Sequence, residues 1–375
     1  MILVYVSSVK LKRFRGIKEG VIDGLDDFTI LIGRNGAGKS SVLEALYLAS
    51  AWLDPRDPIR GLSKYDYLIK RRGGRGDWAT SRDVVWYLMD SGEDIAVSIG
   101  LGRVSIEFVL HYDTARLWLR IDNFKESLLA HLSREEIKNC GLLRLDESFA
   151  QFSSYPPPSA LVSVPREDVI NWLRKSMPDL LGVLGGTVLI DDHLLSRPDV
   201  VEGYSWPKIL ARRLDREVVR VLREEFEVDA EGLTYAPVGG SNVLMLQLRN
   251  TSVRVDDLGD GARLATLMMM VVLASKPKLL LIEEPETKMH PRGLKVLTGA
   301  ILRIAKSLGT QIIATTHSLE FVKIGLEEAK NLGVGASLIH LERGVDGVLT
   351  TRKLSKPDVD LLTDLGIDPR FLDVF

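Results

Sequence analysis

Apolar residues along this chain follow three different periods, and each predicts its own kind of element. The run FTILIG, Phe28 to Gly33, is a β-rich strand that feeds a glycine-rich loop, and LLLI, Leu279 to Ile282, reads as a strand buried on both faces. The runs VVWYLM, DIAVSIGL, VSIEFVL and RLWLRI are strand-like and separated by tight turns, which predicts an antiparallel meander. Helical spacing appears in KSSVLEALYLASAWL, where Val42, Leu43, Leu46 and Tyr47 share a face. It appears again from Trp206 to Val228, where Ile209, Leu210, Leu214, Val218, Val221, Leu222 and Phe226 predict a single amphipathic helix.

Between these elements the chain changes character several times. Residues 1–31 read as short strands with turns at RGIKEG and IDGLDD, and residues 59–77 are polar and glycine-rich. From about Asp122 to Asp229 the pattern is mainly helical, broken by SSYPPPS, which suits neither a helix nor a central strand. Beyond it, a Met-rich helix, the LLLI strand, a helix from Arg292 to Leu308 and the strand TQIIATTH alternate as in a parallel sheet covered by helices. The expected division is therefore 1–122, a mainly helical insertion over 123–229, and 230–375. No heptad run is long enough for an extended coiled coil.

Composition narrows the classes. The 375 residues carry 45% hydrophobic and 27% charged positions, as a globular protein does. A net charge of −2 gives no global attraction to nucleic acid, although KRRGGRG, Lys70 to Gly76, is a local basic patch. A solvated loop is the favoured reading of that patch, and sequence-independent phosphate contact is the alternative. The single cysteine, Cys140, excludes an intrachain disulfide, and the six histidines show no metal-site spacing. The N-terminus lacks the pattern of a secretory signal, and the longest apolar run, LATLMMMVVLA, is too short to span a bilayer. A cytoplasmic protein without a membrane anchor is expected.

Chemistry enters at Gly33 to Ser40, GRNGAGKS, which matches the P-loop pattern between a strand and a helix. Its glycines let the backbone wind round a phosphate chain; Lys39 reaches the terminal phosphates and the Ser40 hydroxyl suits Mg²⁺. Glu283 and Glu284 follow LLLI with no turn residue between, and unpaired buried carboxylates are costly. Beside a P-loop they gain roles: Glu283 secures Mg²⁺ and Glu284 orients the attacking water.

The stretch VKLKRFRGIKEGVIDGLDDFTILIGRNGAGKSSVLEAL resembles the N-terminal half of the RecF/SMC/OLD-type ABC ATPases, and LLLIEEPETKMHP resembles the Walker B segment of the OLD branch. IIATTHS is similar to the switch-histidine strand of those families, and VDDLGDGARLATLM to the ABC signature, with Gly259 in place of the usual serine. The likeness covers about residues 1–50 and 230–350. It implies an α/β fold: a P-loop NTPase of ABC-ATPase type with an antiparallel β subdomain and a mainly helical insertion. By the same likeness, ATP and Mg²⁺ are the cofactors. Arg34, Asn35, Gly36, Ala37, Gly38, Lys39, Ser40 and Ser41 hold the nucleotide, and Arg15 of the basic-aromatic turn meets it. Glu284 and His317 act on the γ-phosphate side, and Gln151 stands where a Q-loop glutamine senses the metal. Gly259, Asp260 and Gly261 close the site of a second subunit, with Asp260 as the helix cap, so ATP glues a homodimer. DNA maintenance or defence against foreign DNA is the implied setting, with DNA and a separate effector protein as candidate partners. A slow-hydrolysing module that regulates such an effector is the competing reading. VVEGYSW, from Val200, echoes the start of a Toprim nuclease but precedes the signature, so Glu202 is read as a decoy.

Overall fold

A computed structural model describes residues 5–227, 229–364, 368 and 370. Parts of two predicted elements, residues 1–4 of the first strands and Val228 at the end of the long helix, lie outside the described residues. The described residues build one 14-stranded sheet and a separate three-stranded one.

The strands in chain order are β1 (Ser8–Phe14), β2 (Ile17–Asp23), β3 (Phe28–Ile32), β4 (Ile95–Leu101), β5 (Val104–Leu110) and β6 (Leu117–Arg120). They continue with β7 (Leu142–Leu145), β8 (Phe149–Ser154), β9 (Ser159–Pro165), β10 (Thr187–Ile190), β11 (Ala230–Val238), β12 (Ser241–Leu248) and β13 (Ser252–Arg254). The last four are β14 (Leu279–Glu283), β15 (Gln311–Thr315), β16 (Ala336–Arg343) and β17 (Val348–Leu354). In space the large sheet runs β10-β14-β15-β3-β16-β17-β2-β1-β4-β5-β6-β7-β8-β9. The first five of these are mutually parallel, and from β2 outward every pairing is antiparallel.

The parallel half explains the unbroken apolar runs. Leu31, Leu279 and Leu281 enter one hydrophobic core, while Phe28, Ile30, Ile32, Leu280 and Ile282 enter another on the opposite face. A strand covered on both sides has no polar face to alternate with. The first core takes the P-loop helix, Lys39–Ser50, which is buried almost all round, and the second takes the Met-rich helix, Asp260–Ser275. The fold is thus the mixed α/β architecture expected.

Three local expectations are corrected. VVWYLM is not a strand: it forms 3-10 turns over Arg82–Val85 and Tyr87–Met89, with Leu88 and Met89 at φ 55° and 56°. Those left-handed residues end any pairing beyond the single bridge between Phe14 and Trp86. The long amphipathic helix is two, Pro198–Arg212 and Asp215–Glu225, broken where Arg213 turns to φ 53°. Leu210, on the apolar face of a single straight helix, is 52% exposed as a result. Residues 64–70, within the stretch read as polar and glycine-rich, are a helix that buries Tyr65, Tyr67, Leu68 and Ile69.

The 123–229 segment does not stand apart as an insertion of its own. It supplies β7, β8 and β9 to one end of the large sheet and β10 to the other, beside β14. SSYPPPS is the turn between β8 and β9.

Candidate functional site

Strand order alone brings the key loops together. β14, β15 and β3 lie side by side and parallel, so Glu283–Glu284, Thr316–His317 and the P-loop all leave from the same edge of the sheet. Ligands of open parallel sheets bind at that C-terminal edge. A cleft of about 340 Å³ opens there, lined by Gly16, Asn35, Gly36, Gly38, Lys39, Ser40, Ser41, Arg72, His317 and Arg343.

The P-loop is shaped for an anion. Gly33 sits at φ 142°, and a β-carbon there would run into the Leu341 carbonyl. Lys39 folds its ammonium onto the loop's own carbonyls, 2.8 Å from Gly33 O and 3.1 Å from Arg34 O. Burial draws that ammonium down to about 8, against the opposing fields of Glu284, Glu286 and Glu283. A phosphate would supply the negative partner that the carbonyls only partly replace.

Opposite the loop, Glu284 has φ 46° and donates its N–H to Thr315 O at 3.0 Å. A non-glycine residue held in this region is strained by about 1–3 kcal/mol, and such strain clusters at functional sites. Its Oε1 lies 3.4 Å from His317 Nε2, so the two expected catalytic groups meet. Glu286, to which no role was assigned from sequence, organises the histidine loop. Its Oε1 accepts the Thr316 hydroxyl at 2.5 Å and the His317 N–H at 3.0 Å. The repeated acid in E-E-P-E was the available signal.

Glu283 does meet a cation, though it comes from an unexpected segment. Arg71, within KRRGGRG, pairs with Glu283, with Glu44 on the P-loop helix at 2.6 Å and with Asp191 after β10 at 3.1 Å. Its side chain is only 6% exposed. Arg72 also reaches Glu44, at 2.7 Å, and faces the cleft. The solvated-loop reading therefore fails for Arg71, while Arg72 keeps a side chain 44% exposed. Burial would raise the Glu44 carboxyl, but Arg15, Arg71 and Arg72 outweigh it and hold the group below the ordinary carboxylate range. Asp191 is held low in the same way, by Arg60 and Arg71 against its burial.

Several expected site residues lie elsewhere. Arg15 is enclosed, bonded to Glu44 at 2.8 Å and to the carbonyls of Leu68 and Val84. It braces the P-loop helix and cannot reach a nucleotide without abandoning a buried acid. Gln151 sits on β8, bonded to Arg144 on β7, and does not line the cleft. Asp260 is not a cap: the signature helix begins with it, Gly259 is its N-cap, and the Asp260 carboxylate pairs with Arg263 at 3.0 Å. Gly259 and Asp260 are exposed, with Gly261 partly covered. Glu202 accepts the Tyr235 hydroxyl at 2.5 Å, a helix-to-strand brace.

A P-loop helix at the mouth of a parallel sheet, flanked by strand-end acids and a histidine, is the arrangement of a P-loop ATPase. The chain carries AAA-family ATPase domains. Residues 5–51 match the family model "AAA ATPase domain", and residues 174–323 match "AAA domain, putative AbiEii toxin, Type IV TA system". It is 23% identical to an ATP/GTP phosphatase of Helicobacter pylori over 343 residues, 85% of this chain and 87% of that one. A stretch of 71 residues, 19% of the chain, is 35% identical to the DNA double-strand break repair Rad50 ATPase of Pyrococcus abyssi and covers 8% of it. The fold is shared with an Smc head bound to the C-winged helix domain of ScpA: TM-score 0.52, 14% identity, 94% of this chain and 99% of that one. A Pyrococcus furiosus Smc head bound to the C-terminal domain of ScpA aligns at TM-score 0.51 and 13% identity, over 96% and 99%. The protein is an ATPase. Among the described residues no helix is long and apolar enough to cross a membrane.

Proposed function

We propose that this ATPase is a dimerising switch, in which two heads close on ATP and hydrolysis releases them. The observation that carries it is that Lys39 and His317 line one open cleft and Glu284 reaches that histidine at 3.4 Å, with the signature helix N-terminus exposed on the same chain. An exposed helix start offers unpaired N–H groups to an anion on another subunit.

Residues 34–41 would wrap the triphosphate, with Lys39 leaving its carbonyl contacts for the β- and γ-phosphates. Glu284 would accept the proton of the attacking water, and His317, 3.4 Å away, would hold that carboxylate and the γ-phosphate in register. Ser40 lines the cleft and would hold Mg²⁺, whereas Glu283 lines a neighbouring cavity and would have to share its carboxylate with Arg71 to do so. This ion takes one or two carboxylates plus substrate phosphates and keeps much of its water. The described residues contain no cluster of three or more acidic, His or Cys ligands that would bind a metal without nucleotide. When bound, the ion would neutralise charge on the phosphates.

The setting we favour is DNA maintenance or defence, supported by the resemblance to the Rad50 ATPase. Gly259 favours a second reading, a slow regulatory module that controls a separate effector, because the helix N-cap there has no side-chain hydroxyl to offer. Light scattering of Glu284→Gln with and without ATP and Mg²⁺ separates the two. A doubled mass only with ATP supports the switch; an unchanged mass with confirmed ATP binding overturns it.

A further inference from the structure

The phosphate cleft has a neighbour. A second cavity of about 380 Å³ is lined by Arg34 to Ala37 on one side and Leu341 to Val345 on the other. The two cavities share Asn35, Gly36 and Arg343. Each alone lies at the small end of the usual range for ligand sites, roughly 300–1,000 Å³.

Strand order says which end of a nucleotide this second cavity would receive. Glu284 and His317 follow β14 and β15, on one side of the P-loop strand β3. A triphosphate whose terminal phosphate faces those groups must send its nucleoside the other way, over β16. Arg343 closes β16, and its guanidinium lies where that path passes. Its Nη1 donates to Gly16 O at 2.9 Å, and its Nη2 lies near Gly36. Gly16 leaves the room the guanidinium occupies, and a β-carbon there would require the Arg343 side chain to shift. The arginine is thus a flat, exposed cation bridging the β1–β2 turn and the P-loop.

We infer that Arg343 is the base-facing residue of the nucleotide site, with its guanidinium stacked on the purine in the cavity formed by residues 34–37 and 341–345. This rests on the nucleotide reading above and assigns its other half. Guanidinium planes stack on π-faces, and stacking reads the face of the ring without reading its edge. Adenine and guanine are therefore both accepted. The P-loop grips phosphates and Arg343 supplies the affinity that phosphate alone does not.

The test measures binding of ATP, GTP and inorganic tripolyphosphate, each with Mg²⁺, to the full chain carrying Glu284→Gln. Arg343→Ala should weaken ATP and GTP alike, by roughly five- to thirtyfold, and weaken tripolyphosphate far less. Arg343→Lys keeps the charge without the plane and should lose nearly as much. Three results overturn the inference: nucleotide affinity that survives Arg343→Ala, tripolyphosphate weakened as much as ATP, or full rescue by lysine. If the Glu284→Gln chain binds tripolyphosphate as tightly as ATP, the base subsite is absent and the P-loop reading stands. If it binds none of the three, the nucleotide reading fails and this inference goes with it.

Discussion

Replacing Arg71 by alanine removes one cation from three acids at once. Glu44 is fully buried, Asp191 is 2% exposed and Glu283 19% exposed. Taking one member from a buried ion pair costs about 3–5 kcal/mol, because the partner is left charged in a medium that cannot solvate it. Here two of the acids keep other cations. Glu44 retains Arg15 at 2.8 Å and Arg72 at 2.7 Å, and Asp191 retains Arg60 at 3.1 Å. The main casualty is Glu283, so the loss should sit near the low end, about 3 kcal/mol. For a chain of this size that lowers Tm by roughly 6 °C, at ~2 °C per kcal/mol. Adding Glu283→Gln should then restore about 1–2 kcal/mol, because it neutralises the stranded acid, whereas in the wild type the same change should destabilise. Thermal and urea melts of the four proteins form the cycle. An Arg71→Ala protein that melts with the wild type, or one that gains nothing from Glu283→Gln, would refute the idea that this network holds the Walker B strand to the P-loop helix.

Two further outcomes follow from the same geometry. Burial draws the Lys39 ammonium down to about 8, and it must be protonated to hold phosphate, so nucleotide binding takes up a proton above that pH. ATP affinity should be level below pH 8 and fall above it, by at most about tenfold per pH unit, with calorimetric proton uptake rising in step. Gly33→Ala should add about 1–3 kcal/mol of backbone strain at φ 142° and push against the Leu341 carbonyl, lowering Tm and abolishing detectable ATP binding by filter assay.

Much of the site was legible in the sequence because its signals are local. A buried strand, a glycine-rich turn and a helix start are consecutive residues, so GRNGAGKS announces an anion site without any tertiary information. Glu283, Glu284 and His317 stand at strand ends, and β-strands that feed parallel sheets deliver their C-terminal residues to a common edge. Pairing between distant segments was another matter. Arg71 and Glu283 are 212 positions apart, and nothing in KRRGGRG distinguishes an arginine that enters the core from one that meets solvent. Arg15, expected by resemblance to meet the nucleotide, instead faces Glu44 across the fold.

What the chain determined by itself, then, was the chemistry that a few adjacent residues can specify: the phosphate loop, the acids after LLLI, the two-sided burial of the parallel strands. What only the tertiary structure decided was charge pairing and chain path. Arg213 adopts φ 53° and splits a helix that periodicity drew as one, and β7–β9 extend the large sheet although their segment reads as mainly helical. The reason is physical. Periodicity records which face a residue buries, whereas an ion pair or a strand partner depends on which segment arrives opposite, and that is settled by packing across the whole sheet.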